Sequence, residues 1–307
     1  MTQYEALLAR LRRGEQVMID GGTGTEVERR GVPQLPNAWN GGGALSHPEV
    51  VRAIHEDYIA HGAEIIIANT FATSRNLLED AGQPELFEAY NRRAVEIACE
   101  ARGARDILVA GGLSHWSFSG RVVPLADQRD GAAEQARIMA EAGADLLMLE
   151  MMVDVARMEA VLEGALGAGL PVWVGISCAR DEGGIVRLQA GEADTDGYVQ
   201  ASGETLADAV LALGGYDIPL VSIMHTDVRD VPACLDVLDQ HWTGLRGVYA
   251  HSGAIIDGQW QFNDTISPAD YAREAAGWKA RGVSVIGGCC GIRPDHMAEV
   301  AGVMSAG

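Results

Sequence analysis

Short apolar runs alternate with longer amphipathic stretches along the whole chain. The runs predict strands at Val17–Asp20, Glu64–Ala68, Ile107–Gly111, Asp145–Leu149, Val172–Ser177, Leu220–Met224, Gly247–Tyr249 and Ser284–Gly287. They are rich in Val and Ile and apolar on both faces, as parallel strands covered on two sides should be. Between them the spacing turns helical. Pro48–His61 places Val50, Val51, Ile54, Tyr58 and Ile59 on one side, with Ser46 as the expected N-cap and Pro48 in the first turn. The same period predicts helices over Glu85–Arg102, Asp130–Ala142, Val155–Leu166, Glu204–Leu213, Val231–His241, Pro268–Arg281 and Pro294–Met304. Four of the passages from helix to strand carry a glycine: HGAEIII, AGADLLM, AGLPVWV and RGVSVIG.

Eight strands alternating with eight helices fit either an open doubly wound sheet or a closed barrel. Polar residues follow nearly every strand, whereas an open sheet gathers them at one switch point. The expectation is therefore an α/β fold, a single (β/α)8 TIM barrel, with residues 1–307 forming one domain.

Composition narrows the function classes. The 307 residues are 48% hydrophobic, enough for a full core, and no low-complexity segment interrupts them. The 43 acidic and 23 basic side chains give a net charge of −20. Such a surface repels phosphate backbones and anionic lipid, so no nucleic-acid or membrane partner is expected. Met1–Arg13 carries charges along an amphipathic helical pattern and does not resemble a secretory leader. Five cysteines, an odd number, do not suggest a disulfide framework. A reducing, cytoplasmic location is expected, and a homo-oligomer is allowed.

Strand ends converge on one mouth in a barrel, and function sits there. Here those ends supply Asp20 with Gly21 and Thr23, then Asn69, Glu150, Ser177 with Cys178, His225, Tyr249 with His251, and Cys289 with Cys290. Adjacent cysteines seldom bond to each other, because the linkage strains the peptide between them. Flanking glycines let the backbone kink so that both thiolates face one ion, and two thiolates favour Zn²⁺. The plain alternative is two small residues packing in a tight turn. Gly21–Thr25 reads GGTGT and lacks the ending of a phosphate-binding loop, so a tight turn exposing Asp20 is expected. Trp39, Trp116, Phe118, Tyr249 and Trp260 are aromatic candidates for the mouth.

Four motifs resemble one family nearly end to end, the zinc-dependent homocysteine S-methyltransferases that use S-methylmethionine or betaine. They are DGGTGTEVERRG at Asp20–Gly31, HGAEIIIANTFATS at His61–Ser74, GADLLMLEM at Gly143–Met151 and VIGGCCGIRPDH at Val285–His296. The resemblance implies a (β/α)8 barrel with one Zn²⁺ at its mouth, bound through Cys289 and Cys290. It implies that Asp20 and Glu150 hold the amino group of homocysteine. The expected reaction moves a methyl group from a sulfonium or quaternary ammonium donor to a thiol, most simply homocysteine to methionine. The compact length points to the S-methylmethionine-using branch.

The chain departs from the family pattern at the mouth. The third zinc ligand of the family is a cysteine after the sixth strand, usually preceded by Asn; here Met224 and His225 stand there. His225 is the expected replacement, giving a Cys2His site, with Cys178 the other contender. The third and seventh strand ends read GGLSHWSFSG and YAHSG and gain His115 and His251. These four changes suggest an altered substrate or donor. Two other functions stay open: a diverged metal-dependent barrel enzyme that uses no thiol acceptor, and a metal-free binding paralogue.

Overall fold

The computed structural model describes residues 1–189, 203–256, 259–262 and 265–305. Eight parallel strands form the central sheet: β1 Val17–Met18, β2 Ile65–Ile67, β3 Leu108–Leu113, β4 Leu146–Met152, β5 Val172–Ile176, β6 Leu220–Asp227, β7 Leu245–His251 and β8 Val285–Gly288. They neighbour one another in chain order, with β8 also pairing β1. A parallel bridge between Ile19 and Ile65 joins β1 to β2, so the sheet closes on itself. It is a (β/α)8 barrel.

Each strand is followed by a helix: α1 Pro48–Ala60, α2 Phe87–Arg102, α3 Leu125–Ala142, α4 Val155–Leu166, α5 Leu206–Ala212, α6 Val231–His241, α7 Pro268–Ala280 and α8 Pro294–Ser305. The four glycines between helix and strand, Gly62, Gly143, Gly169 and Gly282, all adopt positive φ. That conformation costs a residue with a Cβ.

Alternation along each strand sorts the core into two layers. Val17, Ile65, Leu108, Leu146, Trp173, Leu220 and Val285 pack inside the barrel, while Ile66, Val109, Leu147, Val174, Val221 and Ile286 face the helices. The helix Gln3–Arg12 plugs the far end of the barrel: Leu7 and Leu11 join the inner layer, and Tyr4 Oη accepts a hydrogen bond from Trp173 Nε1 at 3.1 Å. No helix among the described residues is long and apolar enough to cross a membrane.

The structure differs from the pattern reading at several points. The residue before α1 is His47, which makes no side-chain cap; Ser46 closes the short helix Gly43–Ser46 and donates to Gly42 O. Strands β4, β6 and β7 run on to Met152, Asp227 and His251, beyond the apolar runs that announced them. Two antiparallel hairpins decorate the mouth, Cys178–Arg180 with Val186–Leu188 and Ala254–Ile256 with Gln259–Gln261.

Candidate active site

Two of the strands that feed the mouth carry a bulge. Between β6 and β7 the register steps from Met224–Tyr249 to Asp227–His251, three residues against two. His225 sits in that extra length with φ 42, a left-handed conformation rare for a residue with a side chain. Ser177 Oγ donates to His225 O at 2.6 Å and Thr226 Oγ1 donates to Met224 O at 2.9 Å, which pins the bulge from both sides. The re-aimed imidazole meets the two thiols at the end of β8.

Cys289 Sγ lies 3.6 Å from His225 Nδ1, Cys290 Sγ lies 3.5 Å from it, and the two sulfurs are 3.9 Å apart. Gly291, at φ 77, turns the chain sharply after the pair, and a Cβ there would overlap Phe262 O. Two thiols and one imidazole within 4.8 Å of one another form a cluster suited to a metal ion. A tetrahedral Zn²⁺ with bonds of about 2.3 Å to sulfur and about 2.0 Å to nitrogen separates two sulfurs by about 3.8 Å and sulfur from nitrogen by about 3.6 Å. The observed triangle matches both lengths, and soft thiolates with imidazole are the donor set zinc prefers. The Cys289 thiol is held down at about 5 by its hydrogen bond with Cys290, against the opposing effect of burial, with His225 adding to the lowering.

The second bulge lies between β4 and β5, where Leu149 pairs with Val174 and Met152 with Ile176. Met151 carries the strain there at φ 59, and Glu150 projects into the mouth. Gly112 on β3 makes the room, because a Cβ there would overlap Glu150 Oε2. Burial pushes the Glu150 carboxyl well above its usual range, and the neighbouring Cys289 and Asp20 push the same way. Asp20 is 1% exposed and raised for the same first reason, although its Oδ2 accepts from Ile67 N at 2.8 Å. Two desolvated carboxylates form an acidic pole that a positive group would relieve.

Glu150, His225 and the two thiols face a cavity of about 480 Å³. Its walls are aromatic: Trp39, Phe71, Trp116, Phe118, Tyr249 and Phe262. Gly21, Thr23, Asn69, Glu150, His225, Cys289 and Cys290 all line it, as the strand ends predicted. The buried hydroxyls of Thr23 and Tyr249 have no hydrogen-bond partner.

Other predicted residues take different places. Asp20 lies behind the lining rather than in it. Asn69, although in the lining, donates its Nδ2 to Asn40 O at 3.1 Å and so also braces the segment after β1. His251 is behind His225, ring on ring, and does not line the cavity. His115 is also outside the lining; its Nε2 accepts from Val153 N at 3.2 Å and so supports the β4 bulge. Cys178 lies against Cys234, buried, with Cys178 N donating to Thr226 Oγ1, so it belongs to the packing behind β6 and not to the thiol triangle. Cys99 sits in α2. The side chain of Trp260 lies outside the described residues.

Several lining residues escaped the strand-end reading, Asn40, Phe71 and Phe262 among them. Asn40 opens the short 3-10 helix Asn40–Gly42, and Phe71 lies within the His61–Ser74 motif. Gly175 was missed as well: a Cβ there would overlap the Tyr249 hydroxyl and come within 2.8 Å of Met224 Cγ.

Comparison with known proteins gives the same picture. A sequence profile described as homocysteine S-methyltransferase matches residues 17–304. The chain belongs to the homocysteine S-methyltransferase family. Among relatives in this family, the selenocysteine methyltransferase of Astragalus bisulcatus is 26% identical, covering 96% of this chain and 94% of its own. Homocysteine S-methyltransferase YbgG of Bacillus subtilis is also 26% identical, covering 93% of each. The metallated form of the homocysteine methyltransferase MmuM from Escherichia coli superposes with a TM-score of 0.76 at 23% identity, over 98% of this chain and 99% of its own. That likeness establishes the shared barrel. As a member of this family the chain is an S-methyltransferase.

Proposed function

We propose that this protein is a zinc-dependent enzyme that moves a methyl group from a sulfonium or quaternary ammonium donor to a thiol, with L-homocysteine as acceptor and methionine as product. The observation that carries the reading is the triangle of Cys289, Cys290 and His225, whose edges suit one tetrahedral ion. Those three side chains would hold Zn²⁺, and three protein ligands is the number typical of catalytic zinc. Zinc bound there would keep a substrate thiol deprotonated at neutral pH, where a free thiol with a pKa of about 8.5 is mostly protonated.

The chain's own residues do the rest by binding and alignment. Glu150, with Asp20 behind it, receives the ammonium of the acceptor, because a cation compensates two carboxylates that burial disfavours. Trp39, Trp116, Phe118 and Phe262 line the remaining wall and offer π faces to a methyl-onium group. They also exclude water from the reacting atoms. Free thiols suit a reducing cytoplasm, where we place the enzyme.

The test pairs metal analysis with a donor screen. Protein purified without chelator should carry about one zinc per chain. It should form methionine from homocysteine with S-methylmethionine or a betaine-type donor. Protein without bound zinc that transfers no methyl group from either donor overturns the proposal.

A further inference from the structure

A second cavity, of about 370 Å³, lies between the short helix Arg75–Asp80 and the first turns of α3. The segment after β3 divides it from the first. Ser114 lines the second cavity, whereas Trp116 and Phe118 line the one at the barrel mouth. The two cavities share no lining residue.

The second cavity has an accepting side and a donating side. On α3, Gln128 is 7% exposed and lines the cavity, and its Oε1 is buried without a hydrogen-bond partner. The orientation of that amide is fixed, because its Nε2 donates to His115 O at 3.4 Å and a turned amide would bring two oxygens together. Asp127 lines the cavity beside it and has no ion-pair partner among the described residues. The donors come from other elements. Asn76 Nδ2 is buried and unpartnered, while its Oδ1 accepts from the Ser74 hydroxyl at 3.0 Å. Arg75 spends Nε and Nη2 on Glu134. Arg121 spends Nε on Asp80 and Nη2 on Glu79 and Asn76 O. Each guanidinium thus keeps Nη1 for a further acceptor. Leu113, Val123, Pro124 and Val161 add an apolar surface.

Buried polar groups are nearly always paired, so an orphan acceptor and an orphan donor in one cavity mark a ligand that offers both. Charge narrows its class. Four carboxylates, Glu79, Asp127, Asp130 and Glu134, line the cavity against the two guanidiniums. A simple anion is therefore repelled, and a simple cation leaves Asn76 Nδ2 unmet. We infer that this cavity binds a free α-amino acid with an apolar side chain. Its carboxylate lies at Asn76 Nδ2 and the two arginine Nη1 atoms, and its ammonium lies at Gln128 Oε1 and Asp127. The site is separate from the catalytic cavity and does not depend on the reaction proposed there.

Calorimetric titration of the full chain with three probes tests the assignment. They are L-leucine, 3-methylbutan-1-amine, which lacks the carboxylate, and 4-methylpentanoate, which lacks the ammonium. Leucine should bind, and each truncated probe should bind at least about tenfold more weakly, the effect of one hydrogen bond to a charged group. Asn76→Asp sets an anion against the ligand carboxylate. It should weaken leucine by about tenfold or more and bind the amine no more weakly than wild type does. Gln128→Leu should weaken leucine by a similar factor and leave 4-methylpentanoate unchanged. Asn76→Asp keeps the test decisive where loss of the Gln128–His115 bond impairs folding. Glu150→Gln, in the other cavity, should bind leucine as wild type does. Three outcomes overturn the inference: no leucine binding to wild type, equal binding of leucine and either truncated probe, or binding lost in Glu150→Gln and kept in Asn76→Asp.

Discussion

The imidazoles of His225 and His251 stack with centroids 4.6 Å apart and planes inclined by 23°. Phe262 meets both rings edge-on or tilted, at 5.8 Å and 5.4 Å. The stack fixes the plane of the one imidazole that faces the two thiols. Partners that orient a metal ligand commonly contribute 10- to 100-fold in affinity. His251→Ala should therefore weaken zinc binding by about tenfold, and His251→Phe, which keeps a ring there, should retain most of it. Competition against a chromogenic chelator measures both.

Removing a sulfur from the triangle should have a larger effect. Cys289→Ser and Cys290→Ser should each purify without zinc and without methyl transfer. Cys178→Ser should keep its zinc, because that thiol is packed against Cys234 behind β6. Elemental analysis of the three variants separates the outcomes. Loss of zinc from Cys178→Ser would put His225 in question as the third ligand.

Glycines under functional side chains give a steric prediction. Gly112→Ala should drive Glu150 from its place, since the added methyl overlaps its carboxylate. Overpacking of this kind costs about 1–3 kcal/mol of stability. The acceptor KM should rise at least tenfold, by loss of the ammonium contact. Thermal melts and initial rates on the purified variant check the two effects separately.

Much of this site was legible in the sequence because its parts lie at strand ends. The eight apolar runs located all eight barrel strands, and the residues after them include Glu150, His225, Cys289 and Cys290. What could not be read depends on contacts far apart in the chain. Nothing local to LVSIMHTD indicates that its ladder gains a residue, and that gain is what separates His225 in the triangle from His251 behind it. The segment around Asn40 shows no long periodicity, and it is braced by Asn69, twenty-nine residues on. His115 looked like a mouth residue by position, yet a backbone amide from β4's end claims its ring.

Two buried histidines predict a loss of stability in acid. His55 has neither ring nitrogen hydrogen-bonded, and burial lowers it from 6.5 to about 4; burial lowers His115 to about 4 as well. Above pH 6.5 both are neutral folded or unfolded, and their effect is constant. As pH falls from 6.5 towards 4 the unfolded chain takes up protons that the folded chain refuses. Each group then removes up to about 3 kcal/mol. Asp20 and Glu150, held high, act in the opposite sense, so the comparison must isolate the imidazole. Urea melts of wild type and His55→Leu at pH 7 and pH 4.5 do so: the variant should lose less stability between the two.

The bulge at His225 carries a consequence for how this pocket tolerates change. Side chains alternate faces along a strand, so one inserted residue flips everything after it. The ligand's aim is thus a matter of counting. Deleting Thr226 would restore an even ladder with β7 and should turn the His225 imidazole toward the surrounding helices. A cluster specified this way depends on chain length at that point, and a change in that length would dismantle it outright.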